Sequence, residues 1–242
     1  MNRELFYSEN LLPQDETLQL GSEESRHLIK VLRKKPGDFI FVTNGQGLEW
    51  KGEITGTDAR KVSAKKIETV QHINERAPLH IAIAPPKSND RMEWFLEKAT
   101  EIGVSQITPI ICKHSERKTL KMDRMKKILV GGLKQSGQYF LPQFNPLVSF
   151  DSFLKTNPTE KRMIAHCQAG DKIALFQIQN LNEGILILIG PEGDFSDQEI
   201  ERAINQSFTA ISLGSQRLRT ETAGIVACSK VATLREISKK LV

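Results

Sequence analysis

The chain has 242 residues, 39% of them hydrophobic and 26% charged, with a net charge of +5. This composition excludes a disordered or low-complexity chain and provides for one large or two small domains with an ample core. No apolar run approaches the roughly 18 residues of a membrane span, and the opening MNRELFYSEN lacks the apolar block of a signal peptide, so a cytoplasmic protein with no membrane partner is expected. Cys112, Cys167 and Cys228 are too far apart for a zinc site or a disulfide framework, and they are expected to be buried, inert thiols. Residues 1–72 carry 11 Lys or Arg against 11 Asp or Glu, and the rest carries 23 against 18, so the excess positive charge lies in the second part.

Residues 1–20 scatter Phe6, Leu11, Leu12, Leu18 and Leu20 among polar residues, the pattern of short strands and turns. Ser22 is placed to cap a helix starting at Glu23, with His27, Leu28, Val31 and Leu32 as its apolar stripe. Beside that stripe run Arg26, Lys30, Arg33, Lys34 and Lys35, which read either as a nucleic-acid contact or as a solvated helix face. Phe39–Val42 is a strand, Asn44-Gly45 is a hairpin signal, and Leu48, Trp50 and Ile54 alternate along the returning strand. More alternation follows from Lys61 to Ile67. Residues 1–72 are therefore expected to form a small β-rich domain, a barrel, joined by a polar linker to a second domain over 73–242.

In the second part, strands are expected at about 79–84, 107–111, 162–166, 185–190 and 208–213, with helices between most of them. The first helix starts at Arg91, buries Met92, Phe95, Leu96 and Ala99, and stops at Gly103. A second runs from Met122 to Leu133. Lys113 to Lys127 contains seven Lys or Arg, and with His114 it is a candidate for phosphate contact or an exposed strand end. The segment Tyr139 to Phe153 gives little signal beyond a helix capped at Ser149. Ile185–Ile189 is an unbroken apolar run, suited to a strand covered on both faces of a parallel sheet. These alternations define an α/β domain.

The chemistry concentrates where two of these strands end in glycine. Gly190-Pro191-Glu192-Gly193 follows the first, and Ser196 with Glu199 three residues on has capping-box spacing. Gly214 follows the second, after Ser212 and Leu213. Arg219-Thr220-Glu221-Thr222 then opens a small-residue helix at Ala223. In open α/β sheets, ligands sit outside the carboxyl ends of strands, where glycines bring the backbone close to them. Arg217 and Arg219 flank Leu218 and can hold phosphates or orient a polar base, or else serve solubility. Glu192 and Glu221 are hydrogen-bond acceptors or local caps. The chain has no G-x-S-x-G elbow, no phosphate loop of the G-x-x-x-x-G-K-[ST] type and no metal-spaced His/Cys set, so no metal is expected.

LIGPEGDFSDQEI at 188–200, ISLGSQRLRTETA at 211–223, KSNDRMEWFLEKATEIGVSQITPI at 87–110 and HLIKVLRKKPGD at 27–38 together resemble the bacterial 16S ribosomal RNA (uracil-N3) methyltransferases of the SPOUT superfamily. The resemblance spans essentially the whole chain. It implies a small N-terminal PUA-like β-barrel that binds RNA, and a C-terminal α/β domain with a deep trefoil knot. It also implies a homodimer joined at the knot face, and methylation of N3 of one uridine of 16S rRNA in the assembled 30S subunit. The cofactor implied is S-adenosyl-L-methionine, held by Ile189, Gly190, Pro191, Glu192 and Gly193, by Ser212, Leu213 and Gly214, and by Leu218, Arg219, Thr220, Thr222 and Ala223. Arg217, Arg219 and Glu221 are the residues implied in catalysis, with Glu221 either accepting a proton or ordering the loop. Three features depart from the family pattern: Asp194 where a second glycine is usual, Ser215-Gln216 where Pro-Arg is usual, and Lys134-Gln135-Ser136 where a Glu-Gln-Ser triplet is usual. The rival readings are a SPOUT enzyme acting on transfer RNA or a ribose hydroxyl, and a catalytically silent ribosome-binding protein.

Overall fold

The computed structural model describes residues 4–58, 60–156, 161–178 and 183–240. It divides into two compact units, Met1–Glu75 with Val130–Leu141, and Arg76–Leu129 with Pro142–Val242.

The first unit is built on β1 (Leu5–Tyr7), β2 (Thr17–Gln19), β3 (Phe39–Thr43), β4 (Leu48–Asp58) and β5 (Lys61–Gln71), in the sheet order β1-β3-β4-β5-β2. All five strands contribute to one core that includes Phe6, Leu18, Ile40, Val42, Trp50, Ile54, Val62 and Ala64. Leu48, Trp50 and Ile54 point inward as the alternation requires. Trp50 lies flat along its own strand because residue 52 is glycine, and a Cβ there would stand 2.2 Å from the indole ring. Its indole N–H donates to the Asp15 carbonyl at 3.1 Å. Asn44-Gly45 does turn the chain between β3 and β4, with Gly45 at φ +75°.

Two expectations need correction here. Helix α1 (Ser22–Arg26) is capped by Gly21, so Ser22 is its first helical residue. From His27 to Val31 the chain widens into a π-helical turn. That rotates the following side chains off the expected stripe: Leu28 is fully buried, whereas Val31 is 64% exposed.

The second unit holds β6 (Leu79–Ile83), α2 (Asn89–Ile102), β7 (Gln106–Ile111), α3 (Met122–Ser136, which continues into the first unit), β8 (Gln143–Phe144), β9 (Val148–Ser149), α4 (Phe150–Leu154), β10 (Lys161–Ala165), β11 (Ile173–Ala174), β12 (Ile185–Ile189), α5 (Asp197–Asn205), β13 (Thr209–Ser212) and α6 (Thr220–Lys240). The sheet order is β11-β13-β10-β12-β6-β7-β8, with β9 also beside β7, and every pairing is parallel. The all-apolar β12 sits between β10 and β6, and its five residues are buried. Fully burying such side chains stabilises by about 1.5–3 kcal/mol each.

Helix α2 buries the expected face and ends on Gly103 at φ +94°. It packs against α6, where Gly224 permits close approach: a Cβ there would lie 2.6 Å from the Phe95 ring. The segment after Tyr139 gave so little signal because its strands, β8 and β9, are two residues long. Ile173–Ile178, which reads as a helix or a connection, is a two-residue strand and one 3₁₀ turn.

Candidate functional site

The parallel register aligns three strand ends. Ala165 of β10 pairs with both Ile189 of β12 and Ile211 of β13. The loops leaving these strands therefore start side by side, and with the chain entering α6 they line a cleft of about 800 Å³.

The first wall is the loop after β12, of which Gly190, Pro191, Glu192 and Asp194 line the cleft together with Ile189. A Cβ at Gly190 would stand 3.0 Å from the Phe195 ring, a tight contact that the ring would have to yield to. Gly193 is equally constrained, against His114 at 3.0 Å, but it does not line the cleft. Asp194 adopts φ +63°, a left-handed conformation that Asp tolerates better than most residues. Its carboxylate accepts from its neighbour Phe195 N–H at 2.8 Å and from Cys167 N–H at 2.7 Å. The negative charge at this departure from the family pattern thus ties two cleft loops together. Behind the loop, Ser196 and Glu199 form the expected capping box, and the other Glu199 oxygen accepts from Lys113 N–H at 2.8 Å.

The second wall is the loop after β13. Ser212, Leu213 and Gly214 line it, Gly214 at φ +140°, and Lys230 of α6 donates to the Leu213 carbonyl at 2.7 Å. Ser215, Gln216, Arg217, Leu218, Arg219, Thr220 and Ala223 complete this side. The buried Thr220 hydroxyl donates to the Gly190 carbonyl at 3.0 Å, so the entry to α6 is fastened to the end of β12. The Arg217 guanidinium donates to the Glu192 carbonyl at 3.4 Å. Thr222 and Glu221 lie in the first turn of α6 and do not line the cleft. Glu221 is buried, one oxygen 3.8 Å from the Arg91 guanidinium and the other without a hydrogen-bond partner among the described residues. Arg91 is also 3.9 Å from Glu192, whose carboxylate accepts from Lys87 N–H at 3.0 Å.

The third wall was missed from sequence. It is the end of β10 with the turn beyond it: Ala165, His166, Cys167, Gln168 and Lys172. Burial, then the nearby Lys172 ammonium, lowers the His166 pKa below its ordinary value, while Asp194 opposes the shift. The ring is therefore neutral at pH 7, and its Nδ1 has no partner among the described residues. Cys167 is exposed in this wall, unlike Cys112 and Cys228. The expectation of three buried thiols fails there because Cys167 stands past the last paired residue of β10. The signal for this wall was available, since a polar His-Cys-Gln-Ala-Gly run succeeds an apolar strand. Without the strand order, nothing placed that strand next to β12.

The two basic clusters fall on separate units. In the first, Arg26, Lys30, Arg33 and Lys35 are exposed. In the second, Lys113, Lys118, Lys121, Arg124, Lys126 and Lys127 are exposed, and Arg124 pairs with Glu93 at 2.6 Å. Lys134 forms an ion pair with Glu24 at 2.6 Å, which gives that departure from the family pattern a local structural use. Among the described residues, no helix is long and apolar enough to cross a membrane.

A parallel α/β sheet with a cleft built from three strand-end loops defines a domain that binds a small molecule at its carboxyl edge. Comparison with known proteins makes this specific. Residues 74–232 match the family model of RNA methyltransferase domains, and residues 20–67 that of RNA methyltransferase PUA domains. Ribosomal RNA small subunit methyltransferase E of Bacillus subtilis is 30% identical over 236 residues, 91% of each chain. A crystal structure of a probable rRNA-methyltransferase from Porphyromonas gingivalis is 34% identical, covering 97% of this chain and 99% of that one, with a TM-score of 0.90. Ribosomal RNA small subunit methyltransferase E from Neisseria gonorrhoeae, solved bound to S-adenosyl methionine, is 29% identical over 96% of this chain and 97% of that one, with a TM-score of 0.86. The chain belongs to the RNA methyltransferase family, with the α/β domain and N-terminal PUA domain of the small-subunit rRNA methyltransferases.

Proposed function

We propose that the protein transfers a methyl group from S-adenosyl-L-methionine to N3 of one uridine of 16S rRNA, in the assembled 30S subunit. The observation that carries the reading is the cleft itself, bounded by the loops that contain GPEG, SLG and LRTETA. Its volume of about 800 Å³ suits a nucleoside-sized ligand. Its glycines leave backbone groups bare, and the unpartnered His166 Nδ1 adds a polar feature to the wall. These residues fit the cofactor.

In this reading Ile189–Glu192, Ser212–Gly214, and Leu218, Arg219, Thr220 and Ala223 hold the adenine and methionine parts, largely through backbone groups, while Gly193 and Thr222, off the lining, shape the loops that carry them. The bound cofactor supplies an already activated methyl sulfonium. The chain's contribution is placement, with the acceptor nitrogen held about 3 Å from the methyl carbon and in line with the bond that breaks. Uracil N3 carries a proton at neutral pH, so negative charge must be accommodated as it leaves. Arg217 and Arg219 are assigned to the O2 and O4 oxygens, where that charge develops. Glu221, buried beside Arg91, is assigned to ordering the start of α6 and so the position of Arg219. The target base leaves its stack to enter the cleft.

The same reading assigns residues 1–72 to RNA contact and 73–242 to methyl transfer, in a cytoplasmic homodimer joined at the face of a trefoil knot. The exposed basic clusters suit backbone phosphates. The test is calorimetric titration with S-adenosylmethionine, followed by nucleoside digestion of 30S particles incubated with protein and cofactor. One cofactor bound per chain and 3-methyluridine in the digest are expected. Salt-sensitive RNA binding with no cofactor uptake would refute the reading and favour a silent binder.

A further inference from the structure

Among the described residues, three cations line the cleft: Lys172, Arg217 and Arg219. The two arginines are exposed, and the reading above assigns them to the oxygens of the base. Lys172 has no task in that reading. It is half-buried in the turn between β10 and β11, where its ammonium donates to the His166 carbonyl at 3.1 Å and to the Gln168 carbonyl at 2.7 Å. An ammonium has three N–H donors, so one is left over. Both carbonyls are neutral, so the unit of charge is left over as well. Lys172 forms no ion pair among the described residues. Of the nearby carboxylates, Asp194 accepts backbone N–H bonds at both oxygens, and Asp171 is exposed. The His166 ring is neutral, so Lys172 carries the only full positive charge among the described residues of the third wall.

The turn is held without this ammonium. The Asp194 carboxylate accepts from Cys167 N–H at 2.7 Å, and the Gln168 side-chain amide donates to the Phe195 carbonyl at 2.9 Å, so the turn is pinned to the first wall at two points. On its far side the chain enters β11, where Ile173 pairs with Ile211 of β13 and Ala174 with Ser212. Lys172 therefore stands where the third wall meets the second. Fixing a lysine stem costs conformational entropy, and withdrawing its charge from water costs more unless an opposite charge meets it. The geometry is that of half an ion pair, open toward the cleft.

S-adenosylmethionine has one anionic group, its α-carboxylate. The apolar side chains of Ile189, Ile211, Leu213 and Leu218 line the same cleft and suit the faces of adenine, which leaves the polar third wall for the amino-acid end. We propose that Lys172 donates its remaining N–H to the α-carboxylate and so selects the cofactor over analogues that lack this group. The inference rests on the reading that the cleft holds S-adenosylmethionine, and it is independent of which base is methylated. A phosphate of the incoming RNA is the other anion at hand. It meets the exposed Arg217 and Arg219 first, whereas Lys172 is set further in and is already hemmed by two carbonyls. The charge-assisted bond that results is the kind that contributes most to affinity.

Calorimetric titration with S-adenosylmethionine and with decarboxylated S-adenosylmethionine tests this, because the second ligand keeps the sulfonium and the amine and lacks only the carboxylate. Wild-type protein should bind S-adenosylmethionine about 10- to 100-fold more tightly than the decarboxylated form. Lys172→Met keeps most of the stem. It should weaken S-adenosylmethionine by about that factor and leave the decarboxylated form within about twofold, so that the preference collapses. Lys172→Arg should keep part of the preference. Wild-type affinities for the two ligands within about twofold of each other would overturn the inference without recourse to any variant. Equal losses for both ligands in Lys172→Met would overturn it in favour of a staple for the turn. Unchanged affinity for both, with a raised KM for 30S particles, would overturn it in favour of an RNA phosphate. Wild-type protein that binds neither ligand would overturn the cofactor reading along with it.

Discussion

Replacing Asp194 tests whether the departure from glycine in this loop is structural. Asp194→Ala removes two hydrogen bonds, to Phe195 N–H and Cys167 N–H, and places alanine at φ +63°. At a half-buried site each bond contributes about 1 kcal/mol, and the left-handed conformation costs alanine about 1 kcal/mol, so a loss of about 3 kcal/mol is expected. Asp194→Gly loses the same bonds but removes that strain, so it should retain about 1 kcal/mol more than alanine, less the chain entropy of glycine. Urea denaturation gives the ordering, and amide hydrogen exchange localises it: Phe195 and Cys167 should lose protection in both variants, while β12 keeps its own. Alanine equal to or better than glycine, or unchanged exchange at those two amides, would refute the reasoning.

The same contacts set other outcomes. Gly224→Ala should destabilise by about 1–3 kcal/mol, measured by denaturation, because its Cβ meets the Phe95 ring at 2.6 Å. Thr220→Val strands the buried Gly190 carbonyl and should cost about 1–3 kcal/mol, with weaker S-adenosylmethionine binding by calorimetry. His80 is buried and its pKa lowered to about 4 by desolvation, so the folded protein keeps it neutral where the unfolded chain protonates it. Its contribution is complete above about pH 6.5 and is lost as pH falls toward 4, by up to about 3 kcal/mol, and His80→Gln should flatten that part of the stability–pH curve. In the native protein a thiol reagent should modify Cys167 alone, and S-adenosylmethionine should protect it. Cys112 and Cys228, whose burial raises their pKa (that of Cys228 to about 12), should react only after unfolding.

The elements with strong local chemistry were legible in the sequence. The five buried residues of β12, the Ser196–Glu199 capping box, the face of α2 and its Gly103 stop all depend on spacing within one segment. Two of the three cleft walls were legible for the same reason, since glycine-ended strands announce themselves. What was hidden depends on which strands are neighbours. β10 adjoins β12 and β13 in the sheet although the chain between β10 and β12 is long, and this adjacency brings His166 and Cys167 to the cleft. His114 reads as an exposed strand-end residue until its ring is seen against the carbonyls of Gly193 and Asp194. The π-helical turn at His27–Val31 was equally invisible, because a widened turn leaves no periodic signature in five residues.

The central claim is base-specific methyl transfer on the ribosomal subunit. The measurement that tests it most directly is transfer of labelled methyl from S-adenosylmethionine to 30S particles prepared from cells lacking this protein, with naked 16S rRNA and transfer RNA alongside. The account predicts about one methyl per 30S particle, recovered entirely as 3-methyluridine from a single position. Label recovered in a ribose, in another base or in transfer RNA would contradict it, as would cofactor binding with no transfer to 30S at all.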